Sequence, residues 1–360
     1  MSSPIRVLVV DDSALMRKMV CDMLSQDPAI LVVGHARDGQ DALSKMATLV
    51  PDVITMDVEM PLMDGVAALT EIMAKCPTPV IMVSSLTQKG AETTMTCLRL
   101  GAVDFIAKPS GSISLDLPKV REELIQKVKA AARAKKSLYQ PQPPIRAAAP
   151  MPTVGVVTSK SSSKDGMLLI GSSTGGPRAL HTLIPSLPAD LNIPVVVVQH
   201  LPEIFTTMLA SKLNEESPFE VREAKPGDTL RAGTILIAPG GKHLQFDKRG
   251  VAELTDAPTV HGVRPSIDIT MASLIPIYRE KLIAVLLTGM GRDGAAGMKG
   301  VHDLGGQTIA EHESTCVVYG MPKTAVDMGA ASQVLPLPEI ADAIKEVVAA
   351  RRSSQLKEAG

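Results

Sequence analysis

"IPVVVVQH", residues 193–200, decides how this chain folds. Four consecutive valines leave no polar face for water, so the strand they form must be covered on both faces. Strands of that kind belong to parallel sheets with crossover helices above and below. The same continuous pattern recurs in "KLIAVLLTGM" (281–290), and shorter apolar runs stand in "MLLIGSS" (167–173), "TILIAPGG" (234–241), "QTIAEH" (307–312) and "SQVLPL" (332–337). One stretch behaves differently. "HLQFDKRGVAELTD" (243–256) alternates around a turn at Lys248–Gly250, the pattern of a hairpin.

The first part of the chain has its own series: "IRVLVV" (5–10), "ILVVGHA" (30–36), "DVITMDV" (52–58), "PVIMVSS" (79–85) and "VDFIAKP" (103–109), separated by amphipathic stretches. A helix is expected over 117–136. The following residues, to about 166, are rich in Pro, Ser and Ala with no sustained period, which makes them a linker by composition. At 360 residues, two domains of ordinary size can each bury a core. Aromatic residues make up only 2%, with no Trp, so the cores are aliphatic, helped by 19 Met.

Composition also excludes. A formal net charge of −1 gives no basic field for non-specific nucleic-acid binding. No window approaches the ~18 apolar residues of a membrane span, and the start "MSSPIRVLVVDD" lacks the pattern of a secretory signal. The four cysteines (Cys21, Cys76, Cys97, Cys316) form no metal-binding or redox spacing. A cytoplasmic protein with reduced thiols is expected.

Acidic residues gather at strand ends in the first half. Asp11 and Asp12 follow the first run, Asp57 ends another, and Ser84 and Lys108 end two more. In open parallel sheets these ends converge on one ligand site. Carboxylates brought together there repel one another unless a hard cation is present, and oxygen ligands suit Mg²⁺. A single such Asp would serve as readily as a helix cap; the ordered set does not read that way. It resembles the receiver domain of bacterial response regulators over residues 1 to about 130. The resemblance implies Asp57 as phosphoacceptor, Asp11 and Asp12 with Asp57 holding Mg²⁺, Lys108 contacting the acyl phosphate, and Ser84 with Phe105 as a switch pair.

In the second half "IGSSTGGPRAL" (170–180) lies between a strand and a helix. It can be read as a phosphate cradle, a nucleophile elbow or a plain connection. The Walker form fails because Pro177 stands where Lys is needed, and no acidic ribose partner follows about 20 residues on. G-S-S-T-G puts Ser173 in the nucleophile position of G-x-S-x-G. A serine needs a base, and of seven histidines His200 is the one that ends a buried strand. His243 and His261 follow weaker elements; His35, His181, His302 and His312 read as surface or helix positions. Asp293, in "LLTGMGRDGAAGM" (286–298), could orient the imidazole or merely cap the next helix. All three lie at or just beyond strand carboxyl ends, along one sheet edge.

"GSSTGGP", "VVQHLP" and "LLTGMGRDGAAGM" together look like the catalytic domain of the chemotaxis protein-glutamate methylesterases, which are also glutamine deamidases. The resemblance implies Ser173 as nucleophile, His200 as general acid/base, Asp293 as its orienter, and backbone N–H groups of Thr174 and Met290 as oxyanion donors. No cofactor is implied at that site. Chemoreceptors are the implied substrate and a chemotaxis histidine kinase the phosphodonor. In "HGVRPSID" (261–268) the role of Arg264 stays open between structure and substrate. The expected fold is α/β: two doubly wound parallel-sheet domains, a flavodoxin-like receiver (1–130) and a Rossmann-like three-layer hydrolase domain (165–352). A helix end and linker (131–164) join them, and 353–360 form a tail. The receiver is expected to cover the hydrolase mouth until Asp57 is phosphorylated. The rival readings are a DNA-binding output domain and a nucleotide-binding module.

Overall fold

The computed structural model describes residues 3–108, 117–134 and 166–358. Most of the expected linker lies outside the described residues, as does Pro109.

In the first domain β1 (Ile5–Val10), β2 (Ile30–Ala36), β3 (Val53–Asp57), β4 (Val80–Ser84) and β5 (Asp104–Ala107) form a parallel sheet in the order β2-β1-β3-β4-β5. With the right-handed crossovers that parallel sheets favour, α1 (Ala14–Leu24) and α5 (Leu117–Arg133), which pack together, share one face. The others, α2 (Gly39–Leu49), α3 (Gly65–Lys75) and α4 (Gln88–Leu100), pack side by side on the opposite face. Helix starts are capped as the sequence dictates: the side chains of Ser13, Asp38, Asp64 and Thr87 each accept an N–H from the first turn of the following helix.

The second domain is built on β6 (Met167–Ser172), β7 (Val195–Gln199), β8 (Glu220–Glu223), β9 (Thr234–Ile237), β12 (Leu282–Leu286), β13 (Gln307–Glu311) and β14 (Gln333–Leu335). These strands pair in parallel in the order β14-β13-β12-β6-β7-β9-β8. Of these, β8 (EVRE) was not expected: three charged residues in a four-residue edge strand give no apolar signal. The expected hairpin is present as β10 (His243–Phe246) and β11 (Ala252–Thr255), antiparallel.

The four valines behave as a two-sided strand requires. Val195 and Val197 join one core with α6 (Gly176–Ser186), α7 (Glu203–Glu216) and α11 (Leu337–Glu358). Val196 and Val198 face a second core with α8 (Ile267–Tyr278), α9 (Ala295–Asp303) and α10 (Met321–Asp327). Burying each valine stabilises the fold by roughly 1.5–3 kcal/mol. A charged residue at Val197 would leave an unpaired ion among the first set. The terminal helix α11 continues past 352, to Glu358.

Because the chain winds from β6 outward to β7 and later returns to β12 on the other side, the strand order reverses at β6. Ligand sites in such sheets lie outside the carboxyl ends of the strands at that reversal. The loops after β6, β7 and β12 carry Ser173, His200 and Asp293.

The two domains also touch. α4 of the first packs against α6 and α7 of the second. Arg99 pairs with Glu216 at 3.0 Å, and the rings of Phe105 and Phe205 stack with centroids 4.1 Å apart.

Candidate active site

Ser173 is the first residue beyond β6. Its N–H donates to the Thr288 carbonyl at 3.0 Å, and its carbonyl accepts the Gly176 N–H at 2.7 Å, closing the tight turn into α6. Gln199, at the end of β7, fastens that turn from the side. Its Oε1 accepts the Ser172 hydroxyl at 2.6 Å, and its Nε2 donates to the carbonyls of Ser173 at 3.0 Å and His200 at 3.2 Å. Position 176 requires glycine because a Cβ there would lie 2.0 Å from Gln199 Oε1.

His200 follows, with its own N–H bonded to the Ser172 carbonyl at 3.1 Å. The imidazole Nε2 lies 2.8 Å from Asp293 Oδ2. Asp293 is buried and receives three further donors: the Ser266 hydroxyl at 2.7 Å, the Ile267 N–H at 2.6 Å and the Asp268 N–H at 3.3 Å. Two of these are backbone groups of the first turn of α8, so a helix N-terminus points at the carboxylate. Burial pushes the Asp293 carboxyl up, but His200, Ser266 and Ile267 outweigh it and hold it below its ordinary value. Neighbouring Asp268 goes the other way, raised by burial and by the charge of Asp293. Asp293 does not cap α9; that position belongs to Gly294, with no side-chain bond.

Ser173 Oγ makes no hydrogen bond to His200 here. The serine lies against the β12 loop, where a Cβ at Gly289 would sit 2.8 Å from Ser173 Cβ and 2.4 Å from Met321 Sδ. Among the described residues, the backbone N–H groups of Thr174 and Met290 donate to no protein acceptor.

Three other polar residues singled out in the sequence make contacts within the fold. Arg264 donates to the carbonyls of Asp256 and Ala257 at 2.8 and 3.0 Å, bracing the loop between them. His243 is fully buried; its Nδ1 accepts the Ser266 N–H at 3.1 Å, and its Nε2 lies 3.1 Å from the Pro258 carbonyl. It therefore supports the residue that supports Asp293. His181 is on a helix but buried, bonded to Glu216 at 2.6 Å.

In the first domain Asp11, Asp12 and Asp57 bring carboxylate oxygens within 4.8 Å of one another. Lys108 Nζ lies 2.7 Å from Asp57 Oδ2 and 3.3 Å from Asp11 Oδ2. Burial raises the Asp57 carboxyl, only partly offset by Lys108; burial would lower Lys108, but Asp57 and Asp11 outweigh it and raise it. Three acids against one lysine leave a negative, oxygen-only pocket, a donor set that fits a hard divalent cation such as Mg²⁺. Ser84 is fully buried, accepting the Thr94 hydroxyl at 2.7 Å and donating to the Gly90 carbonyl at 3.2 Å. Phe105, the other expected switch residue, faces the second domain through Phe205.

Residues 168–344 match the CheB methylesterase family, and residues 7–116 match the response regulator receiver domain. The chain is 53% identical over 352 residues, 96% of its length and 97% of the relative's, to the protein-glutamate methylesterase/protein-glutamine glutaminase of Symbiobacterium thermophilum. The chain belongs to that family. The Bacillus subtilis member is 47% identical over 360 residues, covering 97% of this chain and 99% of that one. The catalytic domain of Thermotoga maritima CheB methylesterase is similar at 43% identity and TM-score 0.49, covering 51% of this chain and 98% of that structure. The response regulator domain of Thermotoga maritima CheB is 55% identical at TM-score 0.34, covering 37% of this chain and 98% of that structure. This family member thus joins a receiver to a methylesterase domain, and every residue expected from the sequence to act lies within one of the two matched segments.

Several residues of the site were not expected from the sequence. Ser266, Gln199, Thr288 and Glu311 act only through contacts distant along the chain. The one signal the sequence carries for them is "RPSID" (264–268), which contains Ser266.

Proposed function

We propose that this chain is a serine hydrolase that demethylates glutamyl methyl esters on chemoreceptors and deamidates receptor glutamines. The observation that carries the reading is the part-buried His200 paired with buried Asp293 at 2.8 Å, on the strand end next to Ser173 and its strand-to-helix turn. Asp293 accepts from Nε2, fixes the tautomer and leaves Nδ1 as the nitrogen for the serine proton. Ser173 Oγ attacks the ester carbonyl as His200 takes that proton. The carbonyl oxygen becomes an oxyanion, stabilised by the Thr174 and Met290 N–H groups. Collapse expels methanol, protonated by His200. Water, deprotonated by the same imidazole, then releases the receptor carboxylate and frees the serine. With glutamine the leaving group is ammonia. The serine–imidazole bond forms when substrate seats, as catalytic contacts commonly tighten only in the complex. No cofactor is assigned to this site.

Regulation belongs to the receiver. Asp57 is the phosphoacceptor, with a histidine kinase as donor; Asp11, Asp12 and Asp57 would hold Mg²⁺, which when bound would neutralise charge on the incoming phosphoryl group. Lys108 contacts the acyl phosphate. α6 begins just after Ser173 and α7 just after His200, and the receiver rests on both. Repacking of Ser84 and Phe105 on phosphorylation disturbs the Phe105–Phe205 stack and uncovers the site. Moving the docked state to mostly open needs a few kcal/mol of differential stability. The domain limits 1–130, 131–164, 165–352 and 353–360 and a cytoplasmic location belong to this reading. No described helix is long and apolar enough to cross a membrane.

A fluorophosphonate probe tests the nucleophile. Mass spectrometry of the labelled chain should place the adduct on the peptide containing Ser173, with labelling lost in His200→Ala. An adduct elsewhere, or undiminished labelling without His200, removes the assignment.

A further inference from the structure

Thr288 joins the nucleophile turn to the loop carrying Met290. It is buried, and each of its polar groups is engaged. Its carbonyl accepts the Ser173 N–H at 3.0 Å. Its hydroxyl donates to the Thr174 carbonyl at 2.9 Å, with Val318 O at 3.4 Å as a longer alternative, and accepts the Val318 N–H at 3.0 Å. Its N–H donates at 2.7 Å to Oε2 of Glu311, a fully buried carboxyl on the neighbouring strand β13.

These bonds brace the peptides on either side of the one that offers the free Thr174 N–H, and the Thr288 carbonyl belongs to the peptide just before the one that offers the free Met290 N–H. The Thr174 carbonyl belongs to the residue whose N–H is one oxyanion donor, and Met290 lies two residues beyond Thr288. The spacing between donors depends on how the β6 and β12 loops are held together, and Thr288 makes that connection on both sides. Gly289, between Thr288 and Met290, is fixed in turn: its N–H donates to Val318 O at 3.0 Å, and its carbonyl accepts from Gly320 and Met321 at 3.2 and 2.9 Å.

We propose that Thr288, anchored by Glu311, is a positioning residue that sets the distance between the oxyanion donors of Thr174 and Met290. The proposal rests on the serine-hydrolase reading given above. Thr288 touches neither substrate nor reacting atoms. Its effect falls on transition-state binding, because the donors are aimed at a charge that exists only there.

Steady-state methanol release from a methylated receptor, with the full chain kept phosphorylated by a small phosphodonor and Mg²⁺, tests this. Thr288→Val keeps the shape and deletes the hydroxyl; kcat should fall about 10- to 100-fold with KM changed less than about twofold, the size expected for a donor displaced by a fraction of an ångström. Thr288→Ser restores the hydroxyl and should recover most of kcat. If the valine variant does not fold, Thr288→Cys, whose thiol is a weak donor, takes its place with the same expected loss. A folded valine or cysteine variant at wild-type kcat overturns the proposal. So does a loss confined to KM, or a serine variant as impaired as the other two. Ser173→Ala run alongside separates the two levels: if it turns over at the wild-type rate, the hydrolase reading fails whatever Thr288 does, and if it is dead the Thr288 series is decisive.

Discussion

Glu311→Gln isolates a stability term that grows as the medium is acidified. Glu311 is fully buried at the end of β13, accepts the Thr288 N–H through Oε2, and has no partner for Oε1. Burial raises its carboxyl from 4.5 to about 7, the Thr288 N–H offsetting only part of the shift. Between those two values the folded chain holds a proton that the unfolded chain has released, so stability falls as pH rises. The contribution is fully present below about 4.5 and gone above about 7. A shift of that size corresponds to about 3 kcal/mol at 1.36 kcal/mol per unit. Glutamine keeps an acceptor for Thr288 and cannot ionise. Urea unfolding followed by circular dichroism, run on both chains across the range from pH 4 to pH 8, lets all other carboxylates cancel in the difference. The wild type should lose about 3 kcal/mol more than the variant over that range. Parallel curves for the two chains would show that Glu311 binds its proton equally well folded and unfolded, and the burial argument would fail.

Three other perturbations follow from named contacts. Asp293→Asn removes the charge that balances an imidazolium at His200, so kcat should fall on the order of 10³- to 10⁴-fold, and the unfolding temperature should also drop because the amide NH2 faces donors the carboxylate now accepts; a fall in kcat under tenfold would remove Asp293 from the mechanism. Arg99→Ala breaks the half-exposed pair with Glu216, worth about 0.2–1 kcal/mol, and should raise unphosphorylated turnover by up to about fivefold without altering the phosphorylated rate. No change would mean this contact does not hold the docked state. Asp57→Asn should abolish activation by a small phosphodonor, as should chelation of Mg²⁺, while basal turnover persists in both; activation surviving either treatment contradicts the receiver assignment.

Much of the fold is legible in the sequence, for reasons that differ by residue. Val195–Val198 announced a two-sided strand because apolar runs report burial directly, and the glycine-rich turns after β6 and β12 marked where chain reversal meets a sheet edge. Asp57 and Lys108 were readable because strand ends in a parallel sheet converge by topology alone. What stayed hidden depends on tertiary neighbours. β8 is an edge strand of charged residues, so its pairing leaves no periodic trace. Ser266 supports Asp293 across a gap in sequence that no spacing rule spans, and Thr288 reads as an ordinary residue after a strand. The choice for Asp293 between orienter and helix cap was likewise undecidable from its neighbours; Gly294 in the cap position resolves it against the cap. The stacking of Phe105 on Phe205 required knowing how two separately folded halves meet.

Methanol release from a methylated chemoreceptor by the phosphorylated Ser173→Ala chain bears most directly on the whole account. Removing one oxygen atom should lower turnover by at least about 10³-fold while the protein stays folded. Release at the wild-type rate would mean that the chemistry lies elsewhere in the molecule.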